Sequence, residues 1–252
     1  MPRPARVRPV LIALALVAPA TLAGSASDVA DIVNPTFDRE LFGWKVDGAS
    51  EGFGLVRLDY RVRTVDPPSI PEMDDSVALL SAEVVCESGE DPVPCAQGAA
   101  TPADGEFCFD SEGSARTEMS QLVAGIRTTT LQFDVAAAQT LDHSGFALAG
   151  SRMFMRVNQL DENGNETGVH LHEELIDPMF PDFPVFCGIR EEKDTVAFRT
   201  VTLDLASVGM RRGDRVQVRF FVVVHANIIG CRSFAQAHID LWVDNLRFVP
   251  DR

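Results

Sequence analysis

The chain is poor in the residues and motifs that usually announce a chemistry. Its 252 residues include two Trp and one Tyr, so few rings combine a flat apolar face with a polar handle. No Cys-x-x-C occurs, which removes zinc-ribbon and thioredoxin readings. No His-Glu-x-x-His occurs either. Glu173 and Glu174 are neighbours, so on a strand they point to opposite faces and cannot act as a facing acid pair. Basic residues are scarce: 22 Lys and Arg stand against 37 Asp and Glu. A field of that sign repels a polyanion, which argues against nucleic acid as a partner. Together these shortages point away from an enzyme and toward a non-catalytic binding protein.

Long apolar runs are also missing, except at the start. Arg3, Arg6 and Arg8 precede an uncharged, mostly apolar stretch from Val10 to Ala23, and Gly24-Ser25-Ala26 supplies small residues for cleavage. This three-part pattern is that of a secretory signal peptide over residues 1–26. The run is short for a bilayer span, which takes about 20 residues, so no transmembrane segment is expected. The chain is expected to be secreted or periplasmic. Without that leader, 19 basic residues face 37 acidic ones, a net charge of −18.

Period-two alternation dominates the remainder, expected to be one domain over 27–252. Leu131, Phe133 and Val135 alternate with polar residues, as do Ile239, Leu241 and Val243. Val216, Val218, Phe220, Val222 and Val224 form a longer apolar face, with Gln217, Arg219, Phe221 and Val223 on its reverse. Such alternation marks half-buried strands, and the last of these reads as central. Further strands are expected near 53–63, 76–85, 115–123, 145–158, 168–176 and 196–205. Turn signals separate them, including Glu162-Asn163-Gly164-Asn165 and Arg211-Arg212-Gly213-Asp214. One short helical turn is expected over 205–210. About ten strands with this punctuation predict an all-β fold, a β-sandwich of two antiparallel sheets.

Two stretches break the alternation. Residues 86–113 hold Cys86, Cys95 and Cys108 among Gly, Pro, Asp and Glu. They read as an inserted loop stapled by a disulfide, with Cys86 and Cys95 the expected partners; closing a loop of this size is worth roughly 2–4 kcal/mol. Cys187 and Cys231 both flank strands beside loops and are the other expected pair. Five cysteines leave one free or paired between chains. Residues 177–187 place Phe180, Phe183 and Phe186 among Pro178, Pro181 and Pro184. This segment is either a lid over the sandwich or an exposed patch for a partner protein.

Ile32-Val33-Asn34-Pro35-Thr36-Phe37-Asp38 followed by Leu41-Phe42-Gly43-Trp44, with Trp242-Val243-Asp244-Asn245-Leu246-Arg247-Phe248 at the far end, resembles the opening and closing strands of family 4/9-type carbohydrate-binding modules. Ser114 to Val123 is similar to the strand before their central one. The resemblance implies a galactose-binding-like jelly roll whose first and last segments meet. Asp38 stands where the family usually has Glu, and Pro35 where it often has Gly.

Two expectations about sites follow from that resemblance. Carbohydrate, extracellular or on a cell surface, becomes the candidate ligand, with Tyr60 and Trp242 as its contacts; Trp44 lies in the motif that packs inward. A structural Ca2+ is implied between Asp38 and Asp244, with a carbonyl near Asn34, since calcium takes oxygen ligands. The rival reading is a structural or adhesion protein that binds a surface protein through 177–187.

Three local patterns have plainer explanations. Asp161, Asn163 and Asn165 imitate the start of a calcium loop, but a hairpin through Asn163-Gly164 accounts for them better. His170 and His172 share a strand face that reads as solvated rather than as a metal clip. Arg212-Gly213-Asp214 reads as a tight turn rather than as an adhesion signal.

Overall fold

A computed structural model of the chain describes residues 31–65, 76–88, 110–145, 147–176, 178, 189–229 and 233–251, with the side chains of 189–197 left aside. Ten strands run β1 Lys45–Phe53, β2 Leu55–Val65, β3 Val77–Glu87, β4 Ser111–Val123, β5 Thr130–Ser144, β6 Ala147–Leu160, β7 Glu166–Glu174, β8 Ile189–Asp204, β9 Arg215–Ile228 and β10 Phe234–Val249. They form two five-stranded sheets, ordered β1-β4-β9-β6-β7 and β2-β3-β10-β5-β8. Every pairing is antiparallel.

Counting β3 to β10 as eight strands, one sheet reads first, eighth, third, sixth and the other second, seventh, fourth, fifth. That is the order of a jelly roll, in which consecutive strands, the β6–β7 hairpin apart, fall in opposite sheets and wrap one core. β1 and β2 extend the two sheets along one edge. Between them the chain turns at Gly54 with φ of 79°. A Cβ there would lie 2.5 Å from Asp110 O and 2.9 Å from Ser111 Cα, so only glycine fits.

The alternating faces do what the pattern predicts. Val216, Val218, Phe220, Val222 and Val224 of central β9 are buried, as are Ile239, Leu241 and Val243 of β10. Phe220 meets Phe133 of β5 across the gap between sheets, edge to face, at 5.3 Å and 81°. Trp44 packs at 6.3 Å from Phe220 and 5.6 Å from Phe37, which is fully buried. The Phe37–Trp44 motif therefore plugs the core, as the resemblance implies.

The segment before β1 has no strand of its own, yet its backbone must be satisfied. Asn34, Phe37 and Glu40 all take positive φ, between 54° and 57°. The Asn34 amide holds this turn, donating to Glu40 O at 2.7 Å and accepting from Arg39 N at 3.2 Å. Gln121 of β4, 4% exposed, does the remainder. Its Oε1 accepts from Val33 N at 2.7 Å, and its Nε2 donates to Val33 O at 2.9 Å and Gly43 O at 3.0 Å. At the other end Leu246 N donates to Pro35 O at 3.2 Å, so the first and last segments do meet.

Several boundaries differ from expectation. β1 is an edge strand with all but Gly48 exposed, so it lacks the alternation that marks its neighbours. β3 runs through Glu87 and β4 starts at Ser111; Cys86 belongs to a strand, not to the inserted loop. Its thiol is free and buried between the sheets, donating to Ala226 O of β9 at 3.4 Å. The expected bridge from Cys86 to Cys95 is thus replaced by a core thiol, because residue 86 falls on the inward parity of β3. Burial pushes this thiol up to about 12, helped by the Glu112 charge, which leaves it inert as a nucleophile. Cys95, Cys108, Cys187, Cys231, the leader and loop 177–187, Pro178 apart, lie outside the described residues.

The turn readings hold. Asp161 accepts from Asn163 N and Asn165 N at 2.9 and 2.8 Å and closes the β6–β7 hairpin, with Gly164 at φ 87°. These backbone donors hold the Asp161 carboxyl below its usual range. Gly213 has φ of 92° and Asp214 accepts from Arg211 N at 2.7 Å, so 212–214 is a tight turn into β9. Leu205–Val208 is a single 3-10 turn capped by Asp204.

Candidate functional site

The residues singled out from sequence do not converge. Tyr60 lies on the inward parity of edge strand β2, and its ring closes the open side of the sandwich over Gly48. A Cβ at Gly48 would sit 2.5 Å from Tyr60 Cδ2. Trp242 faces outward on β10, half-buried, between Leu79 and Ala136 in register. The two rings are on different faces of the molecule.

Asp38 is exposed and accepts from Thr36 Oγ1 at 2.7 Å. Asp244 is buried, 2% exposed, and accepts from Asn245 Nδ2 at 3.1 Å. That amide also donates to Asp134 at 2.9 Å. Among the described residues no group of three or more His, Cys, Asp or Glu side chains could hold a metal ion. Asp38 and Asp244 are thus not joined by a third such side chain, although the segments carrying them touch.

The same outer face that bears Trp242 carries a coupled pair. His238 Nε2 lies 3.1 Å from Asp240 Oδ2. The hydrogen bond to Asp240 raises the imidazole above 6.5 against the opposing effect of burial, with Glu83 adding to the rise and Arg61 reducing it. Burial pushes Asp240 up, but His238 and Ser81 together outweigh it and hold the carboxyl low. A raised histidine stabilises the fold fully below 6.5, and that contribution fades as pH climbs through its folded value. The lowered Asp240 acts oppositely, contributing above 3.8 and fading as pH falls through its folded value. A His238→Gln variant should therefore lose most melting temperature between those limits and least at higher pH. An imidazole resonance of His238 titrating below 6.5 would contradict this.

Polar and aromatic groups converge on the outer face of the β1-β4-β9-β6-β7 sheet, where register stacks residues into rows. Ala49, Arg116, Val223 and Arg152 form one row. Asp47, Glu118, Phe221, Phe154 and Glu174 form the next. Lys45, Ser120, Arg219, Arg156 and His172 form a third. A hollow of about 490 Å³ opens among these rows, lined by four arginines and by Phe154, Phe221 and His225. Two further hollows adjoin it. One of 300 Å³ shares Arg116 and Val223, and one of 380 Å³ shares His225 and reaches Glu51 and Glu112. The result is a trough crossing the sheet.

The middle row is a stack. Phe154 and Phe221, opposite each other on adjacent strands, lie 4.6 Å apart with planes at 17°. The Arg219 guanidinium covers Phe221 at 4.7 Å; Arg152 at 5.1 Å and the His172 ring at 4.9 Å lie against Phe154. The ring faces are occupied by one another and by cations, so ring edges meet the trough. Glu118 clamps Arg219 with bonds of 2.8 and 2.9 Å, which raises the guanidinium further. Glu174 pairs with Arg152 and His172. Burial pushes the Glu174 carboxyl up, but those two partners outweigh it and hold it low.

The signal for this site was present in the chain. Arg152-Met153-Phe154-Met155-Arg156 alternates so that both arginines and the ring share one face, and Arg219, Phe221, Val223 and His225 do the same. Only the register of β4, β9 and β6 shows that these faces adjoin.

No family model and no curated protein matches the sequence. Among solved structures the chain is similar to the enzymatically active domain of bacteriophage CBA120 tailspike protein 4, at 11% identity and a TM-score of 0.35, over 86% of this chain and 21% of that one. It is also similar to TmCBM61, solved with β-1,4-galactotriose, at 12% identity and a TM-score of 0.32, over 87% and 97%. A third match is to carbohydrate-binding modules of the β-sandwich superfamily, at 11% and 0.28, over 82% and 57%. The chain spans about a fifth of the tailspike chain it matches. Likenesses with TM-scores this low carry no argument, either for the fold or for the family 4/9-type assignment; the jelly roll rests on the strand order itself.

One sequence motif is removed by the fold. Gly48-Ala49-Ser50-Glu51-Gly52 spells Gly-x-Ser-x-Gly, the pattern of a nucleophile elbow at a strand-to-helix turn. Here it runs straight along edge strand β1, so Ser50 has none of that strained presentation. His170 and His172 both face outward on β7, and His172 is engaged by Glu174 at 2.9 Å rather than by a metal clip.

Proposed function

We propose that this chain is an exported binding module that holds an extended carbohydrate chain in the trough across the outer face of the β1-β4-β9-β6-β7 sheet. The supporting observation is the continuity of three hollows along rows of arginine, aromatic and carboxylate side chains. A polymer of hydroxyl-bearing rings needs many directional polar partners spread along a cleft, with apolar floor between them. The trough supplies both. Catalysis is not part of the proposal, because the acids at the centre, Glu118 and Glu174, are neutralised by Arg219 and Arg152. The adhesion reading through 177–187 rests on residues outside those described.

Affinity gel electrophoresis against a panel of soluble polysaccharides tests this. At least one should retard the protein, and Val223→Trp, which fills the junction of two hollows, should remove that retardation. Free migration in every gel, or retardation indifferent to Val223→Trp, would overturn the reading.

A further inference from the structure

Resting on that reading, we infer that the ligand is an acidic polysaccharide, one carrying carboxylate or sulfate groups, and that Arg116 and Arg156 are the residues that recognise its charges. The four arginines of the trough are not equivalent. Arg152 and Arg219 are held by Glu174 and Glu118. Arg116 and Arg156 make no ion pair among the described residues. Arg116 is exposed. Arg156 is half-buried, and its Nε is sealed from solvent without a hydrogen-bond partner. A buried charged donor left unmet is costly.

The register adds a second, independent tension. Arg156 stands directly opposite Arg219 on the neighbouring strand; Glu118 and Glu166 offset part of the Arg219 charge, and what remains repels its like. An anion seated between them would relieve the repulsion, and would meet the sealed Nε donor as well if the Arg156 guanidinium turned outward. A planar guanidinium suits a carboxylate or sulfate, which it can grip through two parallel bonds.

The floor agrees. A neutral sugar stacks on a ring face, but the faces of Phe154 and Phe221 are taken. What remains is ring edge, the positive part of the aromatic quadrupole. The outer arginine rows are four residues apart along the strands, about 13 Å, so one ligand must bring acid groups to both. That separation suits charges spaced along a polymer.

The acidity of the whole protein does not forbid this. Charges beyond about 8 Å are screened at physiological salt, so the field is local, and in the 490 Å³ hollow Arg116 and Arg156 are left over once Glu174 and Glu118 have met Arg152 and Arg219.

The test uses matched polymers on the intact protein: polygalacturonate against its carboxyl-reduced form, and dextran sulfate against dextran. Tighter binding to either acidic member, weakened by added salt, supports the inference and tells carboxylate from sulfate. Arg116→Gln and Arg156→Gln should each weaken that binding about tenfold or more, with the melting temperature kept or, for Arg156→Gln, raised. Equal binding to both members of each pair, or arginine variants that bind as well as the parent, would overturn the inference while leaving the glycan reading intact. Binding to no polysaccharide would overturn the glycan reading itself. Equal retention of polyglutamate would show charge capture without sugar recognition and would also overturn the inference.

Discussion

Phe220→Ala should destabilise the fold by about 3–5 kcal/mol, the range for an aromatic removed from a packed core. Phe220 is fully buried at the centre of β9. It is the ring through which the two sheets and the N-terminal plug communicate, touching Phe133 of the facing sheet and Trp44 of the opening segment. The void cannot be filled by collapse, because its walls belong to three separately anchored elements. In a domain of this size each kcal/mol moves the melting temperature by about 2–4 °C, so a drop on the order of 10 °C is expected by calorimetry. A drop of a degree or two would mean that the sheets close without this ring.

Gln121→Leu should be nearly as damaging, with a different signature. The leucine keeps most of the volume and discards three hydrogen bonds, leaving Val33 N–H, Val33 C=O and Gly43 C=O without partners. These groups are part-buried, so each costs at most about 1–3 kcal/mol. The chain has an escape, because residues 31–43 can leave the sheet and recover water. The loss should therefore level off at about 3 kcal/mol and be confined to that segment. Hydrogen exchange at Val33 should accelerate strongly while amides in β9 and β10 stay protected. Uniform acceleration throughout would show the amide clamp to be part of the global core.

These two residues also mark what can be read from a sequence. Phe220 is legible, because it sits in an unbroken period-two run with no other sensible fate. Gln121 is illegible. Its side chain replaces a strand pairing for a segment eighty-eight positions away, and nothing local distinguishes it from a surface glutamine. β1 is illegible for a related reason: an edge strand exposed on both faces has no buried face to impose alternation. The meeting of Pro35 and Leu246 follows from motifs at the two termini. The arginine trough does not, because it exists only once three strands are aligned, and a slip of one residue would turn every one of those side chains inward. Tyr60 and Trp242 stand out by residue type, and type alone cannot tell a ring that covers a glycine from one that covers a ligand.

The placement of Cys86 has a consequence in time rather than in space. Its sulfur can meet an oxidant or another thiol only while the chain is still open, since afterwards the Ala226 carbonyl of the opposite layer sits against it. Closure of the sandwich and oxidation of the chain are therefore rivals for this one atom, and the finished protein keeps a record of which came first.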